Sequence, residues 1–199
     1  RFFQVEKDKI AVIPNAVDPV FAKADPGLFK QKFGIRDFVL CVGRIEPRKN
    51  QLGMIRALSG TQTQFVMIGD PVKEYPEYYR ACERAAGRNV RFFGGLPHDS
   101  ELLRSAYAAC DTFLLASWLE TPGLAALEAA LAGAKIVVTR EGAAREYFGD
   151  LALYVNPKNE ADIRSKTESS LARKKDGRLR DHILQNFLWE KTAKKTLES

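Results

Sequence analysis

The sequence predicts an α/β fold: a doubly wound, Rossmann-like parallel sheet with helices on both faces. Two observations predict it. Short apolar runs rich in β-branched and aromatic residues alternate with segments of helical spacing, and a Gly or Ser directly follows four of these runs. Such alternation is typical of βαβ units joined by right-handed crossovers. At 199 residues, the chain is long enough for one domain with a single substantial core.

The apolar runs are the predicted strands. They cover residues 38–42, 64–68, 90–93, 112–116, 135–139 and 152–155. Helical spacing is found between them at residues 52–58, 76–86, 100–109 and 124–132. The polar segment from Asn159 onward is predicted to be helical rather than a linker. Because ligands bind beyond the carboxyl ends of the strands in such sheets, we expect the functional residues in the loops that follow strands.

A cationic loop follows the first predicted strand. Gly43 comes first, and Arg44, Arg48 and Lys49 lie within the next six residues. A guanidinium and an ammonium group at this edge of the sheet can neutralise an anionic group such as a diphosphate. A charge run is also typical of a solvated face, and this interpretation remains open for Arg48.

Two glutamates eight positions apart follow the fourth predicted strand. Glu120 directly precedes a predicted helix, and Glu128 lies about two turns into it. Ionised carboxylates accept hydrogen bonds and suit vicinal hydroxyls, so one is expected to hold a ribose and the other a transferred sugar. The spacing alone is common by chance. The pair becomes informative because it follows a predicted strand, as the cationic loop does in the first half of the chain.

The start of this helix is predicted from its residue types. Thr121 is the expected N-cap, and Pro122 suits the first helical position. The free N–H groups of Gly123 and Leu124 are then expected to face a phosphate or a sugar oxygen. The helix also carries an apolar stripe that is predicted to face the sheet, formed by Leu124, Leu127 and Leu131.

These motifs resemble those of a known family. The chain looks like the donor-binding half of a retaining glycosyltransferase of family four, whose two-domain architecture is called GT-B. The resemblance covers nearly the whole chain and rests on residues 9–18, 43–44, 49–50, 120–128, 154–157 and 189–191. It implies one nucleotide-sugar-binding domain over residues 1–199. Residues 1–20 would form the crossover from the acceptor domain, and residues 186–199 the closing helix.

The resemblance also implies roles for individual residues. Arg44 and Lys49 would neutralise the donor diphosphate and stabilise the leaving nucleoside diphosphate. Glu120 would contact the donor sugar, and Glu128 would hold the ribose hydroxyls. Four further positions would border the donor, with Gly94 near the nucleobase: Gly43, Gly94, Gly123 and Leu124.

The implied activity is the transfer of a hexose from a nucleoside diphosphate sugar to an acceptor with retention of configuration. The acceptor domain would lie in an amino-terminal half that is missing here, so this chain alone is expected to be inactive. No cofactor is expected, and the lack of an Asp-x-Asp motif agrees with a metal-independent transfer. The alternative is a noncatalytic nucleotide-binding or regulatory module with a Rossmann-like sheet.

The formal net charge of +6 is compatible with three kinds of partner: nucleic acid, anionic lipid or an anionic donor. Nucleic acid ranks last, because no recognised motif accompanies the charge. A membrane-surface or lipid-linked acceptor is a secondary expectation that rests on the resemblance. A solvated face is the favoured interpretation of the basic cluster Arg173, Lys174, Lys175, Arg178 and Arg180, which is expected within surface helices.

The expected location is cytoplasmic, with peripheral membrane contact as the further option. Cys41, Cys82 and Cys110 are odd in number and widely spaced, which favours buried free thiols in a reducing compartment. No apolar run reaches the ~20 residues that span a bilayer, and no secretory signal is visible. The chain begins with Arg1 rather than Met, so it is expected to be part of a longer protein.

Three other polar residues lie in predicted loops or at helix starts. His98 is expected to belong to a helix entry, and it lacks metal-ligand spacing with His182. Asp70 is expected to be a turn residue. Glu146 lies in a segment that resembles a loop beside the family's donor pocket, and a surface carboxylate is an equally weighted interpretation.

Overall fold

The structure is a computed structural model that describes residue 6 and residues 9–198. Its centre is a six-stranded parallel sheet with the order β3-β2-β1-β4-β5-β6. The strands are β1 (Phe38–Val42), β2 (Gln64–Ile68), β3 (Val90–Phe93), β4 (Thr112–Leu115), β5 (Lys135–Thr139) and β6 (Leu153–Val155).

Helices connect the strands and cover both faces of the sheet. They are α1 (Gly27–Phe33), α2 (Gln51–Leu58), α3 (Pro76–Ala85), α4 (Glu101–Ala109), α5 (Leu124–Leu131), α6 (Ala144–Phe148), α7 (Glu160–Leu171), α8 (Arg178–Asn186) and α9 (Trp189–Leu197). Short 3-10 turns occur at Pro19–Lys23, Pro47–Lys49 and Gly149–Leu151.

The central strands are hydrophobic on both faces because each face is covered by helices. Side chains alternate along β1, so Phe38 and Leu40 pack into one core while Val39 and Cys41 pack into the other. The first core is built with α1, α4, α5 and α8, and the second with α2, α3 and α7. The two cores hold the sheet between two helical layers.

The sheet grows outward in two directions from its middle. β1 leads to β2 and β3 on one side, and β4 leads to β5 and β6 on the other. The chain order therefore reverses between β1 and β4, and the loops that leave these two strands diverge. A crevice forms at such a switch point, beyond the carboxyl ends of the strands.

The predicted α/β fold is confirmed. The bounds of β1, β2, β3 and β5 agree with the prediction, while β4 and β6 are each one residue shorter. The polar segment after Asn159 is helical, as expected, although residues 173–175 of the basic cluster lie in the loop between α7 and α8 rather than in a helix.

Part of the segment expected to be a crossover, residues 1–5, 7 and 8, lies outside the described residues. The rest packs against the end of the chain. Val17 pairs with Leu188 in an isolated parallel β-bridge, and the N–H of Val17 donates to the carbonyl of Phe187 at 2.9 Å. The hydroxyl of Thr192 donates to the carbonyl of Pro14 at 3.0 Å, so α9 is fastened to this amino-terminal segment.

The three cysteines are free and buried, as the sequence predicts. Burial raises the pKa of both Cys41 and Cys110 to about 12, because a thiolate would lose its hydration there. Within the described residues, no helix has the length and apolar character needed to cross a membrane.

Candidate functional site

The loops that follow β1, β4 and β6 are joined by Asn50. This buried residue adopts a left-handed conformation, and its side-chain amide donates to the carbonyls of Ala116 at 3.0 Å and Pro157 at 2.9 Å. A backbone bond from Trp118 N–H to the carbonyl of Arg48, at 3.0 Å, adds a second link. These bonds fix the cationic loop after β1 against the acidic loop after β4.

Lys49 and Glu120 meet across this junction. Nζ of Lys49 donates to Oε1 of Glu120 at 2.6 Å, and the two side chains are only 17% and 6% exposed. The pair joins residues 71 positions apart in sequence. Opposite charges at this distance with little solvent form a strong, charge-assisted hydrogen bond.

The backbone of Glu120 is held by the loop after β5. Its N–H donates to the carbonyl of Glu141 at 3.2 Å, and its carbonyl accepts from Ala143 N–H at 2.9 Å. Gly142 lies directly alongside with φ of 102°, and a Cβ placed on it would come within 1.9 Å of the carbonyl oxygen of Glu120. The close approach therefore requires glycine.

Arg44 and Arg48 share a carboxylate that the sequence interpretation did not single out. Oε1 of Glu46 accepts from Arg44 at 3.4 Å and from Arg48 at 3.2 Å, and the Glu46 side chain is 10% exposed. Arg48 also lies 4.0 Å from Glu120. Arg48 is therefore part of the site rather than a purely solvated charge. In the sequence, the signal for this role was the position of Arg48 in the charge run after β1, two residues from Glu46.

Glu128 lies in a second cluster. Its Oε2 accepts from the buried hydroxyl of Tyr107 at 2.8 Å, and its Oε1 is 2.8 Å from Nε2 of His98. Burial, followed by the Glu128 charge, raises the pKa of Tyr107 well above its usual value. Among the described residues, no hydrogen bond or ion pair connects Glu128 to the Lys49 and Glu120 pair.

His98 does more than form a helix entry. It precedes α4, as expected, but its ring contacts Glu128, and it remains 71% exposed at the carboxyl edge of the sheet. Its position in the loop after a strand was a usable signal. Nothing local indicated that Tyr107, inside α4, would reach a carboxylate 21 residues away.

The prediction for the start of the acidic helix is wrong. α5 begins at Leu124, its N-cap is Gly123 at φ of 59°, and no side chain caps it. Thr121 and Pro122 lie before the helix. Glycine reaches this left-handed conformation at low cost, so it, rather than Thr121, fixes the turn into the helix. Glu128 is consequently just over one turn into α5.

The later start of α5 changes which leucines are buried but leaves the two N–H groups exposed. Leu127 and Leu131 are buried, whereas Leu124 is 41% exposed on the surface. In the described part of the chain, the N–H groups of Gly123 and Leu124 have no hydrogen-bond partner. They remain free at the positive end of an eight-residue helix.

The remaining expected positions occupy strand ends. Gly43 directly follows β1 and precedes Arg44, and Gly94 directly follows β3. The carboxylate of Asp70 accepts from Gly95 N–H at 2.7 Å and so ties the loops after β2 and β3 together. Glu146 is exposed on α6, without a side-chain partner among the described residues.

The arrangement can meet two kinds of chemical group. Arg44, Lys49 and the free N–H groups of α5 offer positive charge and donors to an anion, while Glu120 and Glu128 offer acceptors to hydroxyls. In the portion of the chain that the structure describes, no group of three or more His, Cys, Asp or Glu side chains could hold a metal ion.

Comparison with known proteins identifies sequences similar to this chain. Residues 28–186 match the family model described as glycosyl transferases group 1. The serotype-specific mannosyltransferase WbdA of Escherichia coli is 29% identical over 217 residues, covering 100% of this chain and 26% of that protein. The D-inositol 3-phosphate glycosyltransferase of Stackebrandtia nassauensis is 28% identical over 158 residues, covering 70% of this chain and 35% of that protein. The chain thus spans between about a quarter and about a third of the length of these two curated relatives.

Solved structures share the fold. A glycosyltransferase from Rickettsia africae superposes with a TM-score of 0.83 at 20% identity, over 98% of this chain and 57% of that one. Anabaena HepE in complex with UDP-glucose gives 0.81 at 20% identity, over 98% and 58%. Its Rossmann-like sheet matches one part of these GT-B glycosyltransferase structures, and the chain belongs to the glycosyl transferases group 1 family.

Proposed function

We propose that this chain is the donor-binding domain of a retaining glycosyltransferase that moves a hexose from a nucleoside diphosphate sugar to an acceptor. The observation that carries the proposal is the junction of Lys49 and Glu120 at the switch point of the sheet, with Arg44 beside it. There, cations suited to a diphosphate and a carboxylate suited to sugar hydroxyls are held within one cluster.

Arg44 and Lys49 bind the diphosphate. Arg44 is 70% exposed and keeps most of its guanidinium donors free for a ligand, since Glu46 takes only one weak bond at 3.4 Å. Lys49 shares its ammonium donors between Glu120 and the phosphate. As the glycosidic bond breaks, negative charge grows on the leaving diphosphate, and fixed cations stabilise that charge without reorganisation. This makes the transfer metal-independent.

Glu120 and the start of α5 bind the transferred sugar. Oε1 of Glu120 is fixed by Lys49, which leaves Oε2 to accept from sugar hydroxyls. The free N–H groups of Gly123 and Leu124 donate to a sugar or phosphate oxygen. Gly142 supports this arrangement by holding the backbone of Glu120 in place.

Glu128 binds the ribose. Each of its oxygens already accepts one bond, from Tyr107 and at the His98 ring, and each keeps a further lone pair for a ribose hydroxyl. The loop that begins at Gly94 carries His98 to this carboxylate, and we assign the nucleobase to the same loop.

The acceptor and its platform belong to a domain outside this chain, so the chain alone is not expected to turn over. The names of similar proteins support sugar transfer, because they include mannosyltransferases and a phosphatidylinositol N-acetylglucosaminyltransferase subunit. The last name also supports an acceptor at a membrane surface. A hexose donor is supported by the solved complex of HepE with UDP-glucose.

Isothermal titration with UDP, GDP and ADP tests the proposal. We expect one nucleotide to bind and the affinity to fall at least tenfold in Arg44→Ala and Lys49→Ala, with Arg91→Ala as a control that removes an exposed cation from the edge strand β3. Binding that survives both site variants would favour a noncatalytic nucleotide-binding or regulatory module. Titration with the matching nucleotide-sugar then shows whether the sugar adds affinity through Glu120.

A further inference from the structure

A second basic cavity lies on the opposite side of the molecule from the site described above. It is formed where β5 begins, between the carboxyl ends of α5 and α7 and the loop that leads into α8. Its volume is about 120 Å³. The donor site lies at the carboxyl edge of the parallel sheet and this cavity at the amino edge, so the two do not overlap.

The cavity has an apolar floor and a cationic rim. Ala134, Ile136, Leu153 and Leu179 form part of the floor. Six cationic side chains and only two carboxylates line it, the cations being Lys135, Arg173, Lys174, Lys175, Arg178 and Arg180. Apolar walls lower the local dielectric and strengthen the field of these charges.

Some of the cations serve the fold, and two do not. Lys135 is 2.8 Å from Asp111 and donates to the carbonyls of Ser170 and Arg173 at the end of α7. Arg173 and Lys174, by contrast, have side chains without a hydrogen-bond or ion-pair partner anywhere in residues 9–198. They are exposed at the rim and available to a ligand.

Lys175 is a partly buried cation of this cavity. Its ammonium group is turned inward and donates to the carbonyl of Cys110 at 2.7 Å. Burial is the main reason that its pKa is lowered, and Lys135 and Lys30 lower it further, whereas Cys110 and Asp111 raise it. A bound anion nearby would stabilise the charged form of this ammonium group.

The amino-terminal end of α8 also faces the cavity. The first three residues of this nine-residue helix line it, and the N-cap Gly177 contributes no side chain. The N–H of Arg178 donates to Oδ1 of Asp176 at 3.1 Å, whereas the N–H groups of Leu179 and Arg180 have no partner among the described residues. Free N–H groups at a helix start favour negative charge. Together with the rim, they suit a phosphate group, which carries two negative charges and several acceptor oxygens.

We propose that this cavity binds an organic phosphate whose first carbon atoms pack on the apolar floor. The cationic rim suits the phosphate, and the apolar floor suits a short hydrocarbon segment. A soluble phosphomonoester and the headgroup of an anionic lipid share this chemistry. The inference is independent of the donor site, because no residue is common to the two.

Amide NMR titration of this chain with inorganic phosphate and with monobutyl phosphate tests the proposal. Both should shift amides of residues 130–136 and 173–180, and monobutyl phosphate should bind more tightly, by about fourfold for each methylene buried. Sedimentation with vesicles of phosphatidic acid in phosphatidylcholine, against phosphatidylcholine alone, tests the lipid source. Binding to these vesicles with no response to monobutyl phosphate would assign the site to a lipid.

The double variant Arg173→Ala/Lys174→Ala should weaken binding at least tenfold and leave the fold intact, since neither side chain has a partner. Arg88→Ala/Arg91→Ala removes the same charge from the opposite edge of the sheet and should change nothing. Equal losses in both variants, shifts confined to residues 43–50 and 120–124, or no binding to any of the three probes would each overturn the proposal.

Discussion

Lys49 donates to Glu120 across the switch point of the sheet, with 2.6 Å between Nζ and Oε1. Each residue belongs to a different half of the fold, because one follows β1 and the other follows β4. The pair is therefore both a link between the halves and the centre of the proposed donor site. A ligand phosphate must share Lys49 with a carboxylate that is almost completely buried.

Replacing Lys49 by Ala should destabilise the fold as well as weaken ligand binding. Glu120 would lose its closest partner and keep only Arg48 at 4.0 Å. A buried charge with no partner at all typically costs about 3–5 kcal/mol when no water reaches the group. Because Lys49 is 17% exposed, we expect the lower part of that range or less. Urea unfolding measures it, and the double variant Lys49→Ala/Glu120→Ala should recover part of the loss. A double variant less stable than Lys49→Ala would contradict a paired charge.

Replacing Glu128 by Gln should weaken nucleotide binding by ~1–3 kcal/mol, since one acceptor of the ribose hydroxyls becomes a donor. Isothermal titration with the preferred nucleotide measures this loss. Tyr107→Phe is the matched control, because it removes a bond to the same carboxylate without changing its charge. An unchanged affinity in Glu128→Gln would remove Glu128 from the site.

Replacing Gly142 by Ala should displace Glu120. The added methyl group would overlap the Glu120 carbonyl at 1.9 Å, and φ of 102° is itself unfavourable for alanine. Gly133→Ala separates the two effects, because Gly133 has φ of 94° with no atom within 4 Å of the added carbon. Thermal unfolding and nucleotide-sugar titration should both show a larger effect for Gly142→Ala. Equal effects would mean that backbone conformation alone requires glycine.

Stability should fall at alkaline pH because of the buried thiols. Burial raises the pKa of Cys110 from 9.0 to about 12, so the unfolded chain loses this proton first as the pH rises. The stabilisation is thus complete below about pH 9 and decreases between pH 9 and 12, by up to about 1.4 kcal/mol per pH unit for each such group. Urea unfolding at pH 8, 9.5 and 10.5 should show a shallower decline in Cys110→Ala than in the wild type. Parallel declines would argue against the raised pKa.

Most of the fold could be predicted from the sequence because its signals are local. Four strand bounds follow directly from runs of apolar residues, since strands covered on both faces must be apolar throughout. The helix start at Gly123 was missed because Thr121 and Pro122 satisfy the same local preferences. The left-handed conformation at Gly123, with φ of 59°, places the N-cap there instead.

Some residues of the candidate site could be predicted from the sequence, and others could not. Arg44, Lys49 and Glu120 could be selected from the sequence because they lie in loops that follow strands, at the edge where ligands bind. Glu128 could be selected from its spacing to Glu120 and from the family resemblance of that motif. The partners Glu46, Tyr107 and His98 were not selected for the site. Their contacts depend on how α4, α5 and the strand-end loops pack together. A residue pattern within one segment does not indicate the distances between segments.

Local patterns in the sequence were enough to predict the alternation of strands and helices, the parallel sheet and the edge at which charged residues lie, because hydrophobic periodicity acts over a few residues. The pairing of Lys49 with Glu120, the contacts of Glu128 with Tyr107 and His98, and the start of α5 after Gly123 became visible in the folded chain. The reason is physical: pairing energies depend on separation and burial, and both are fixed only when distant segments pack.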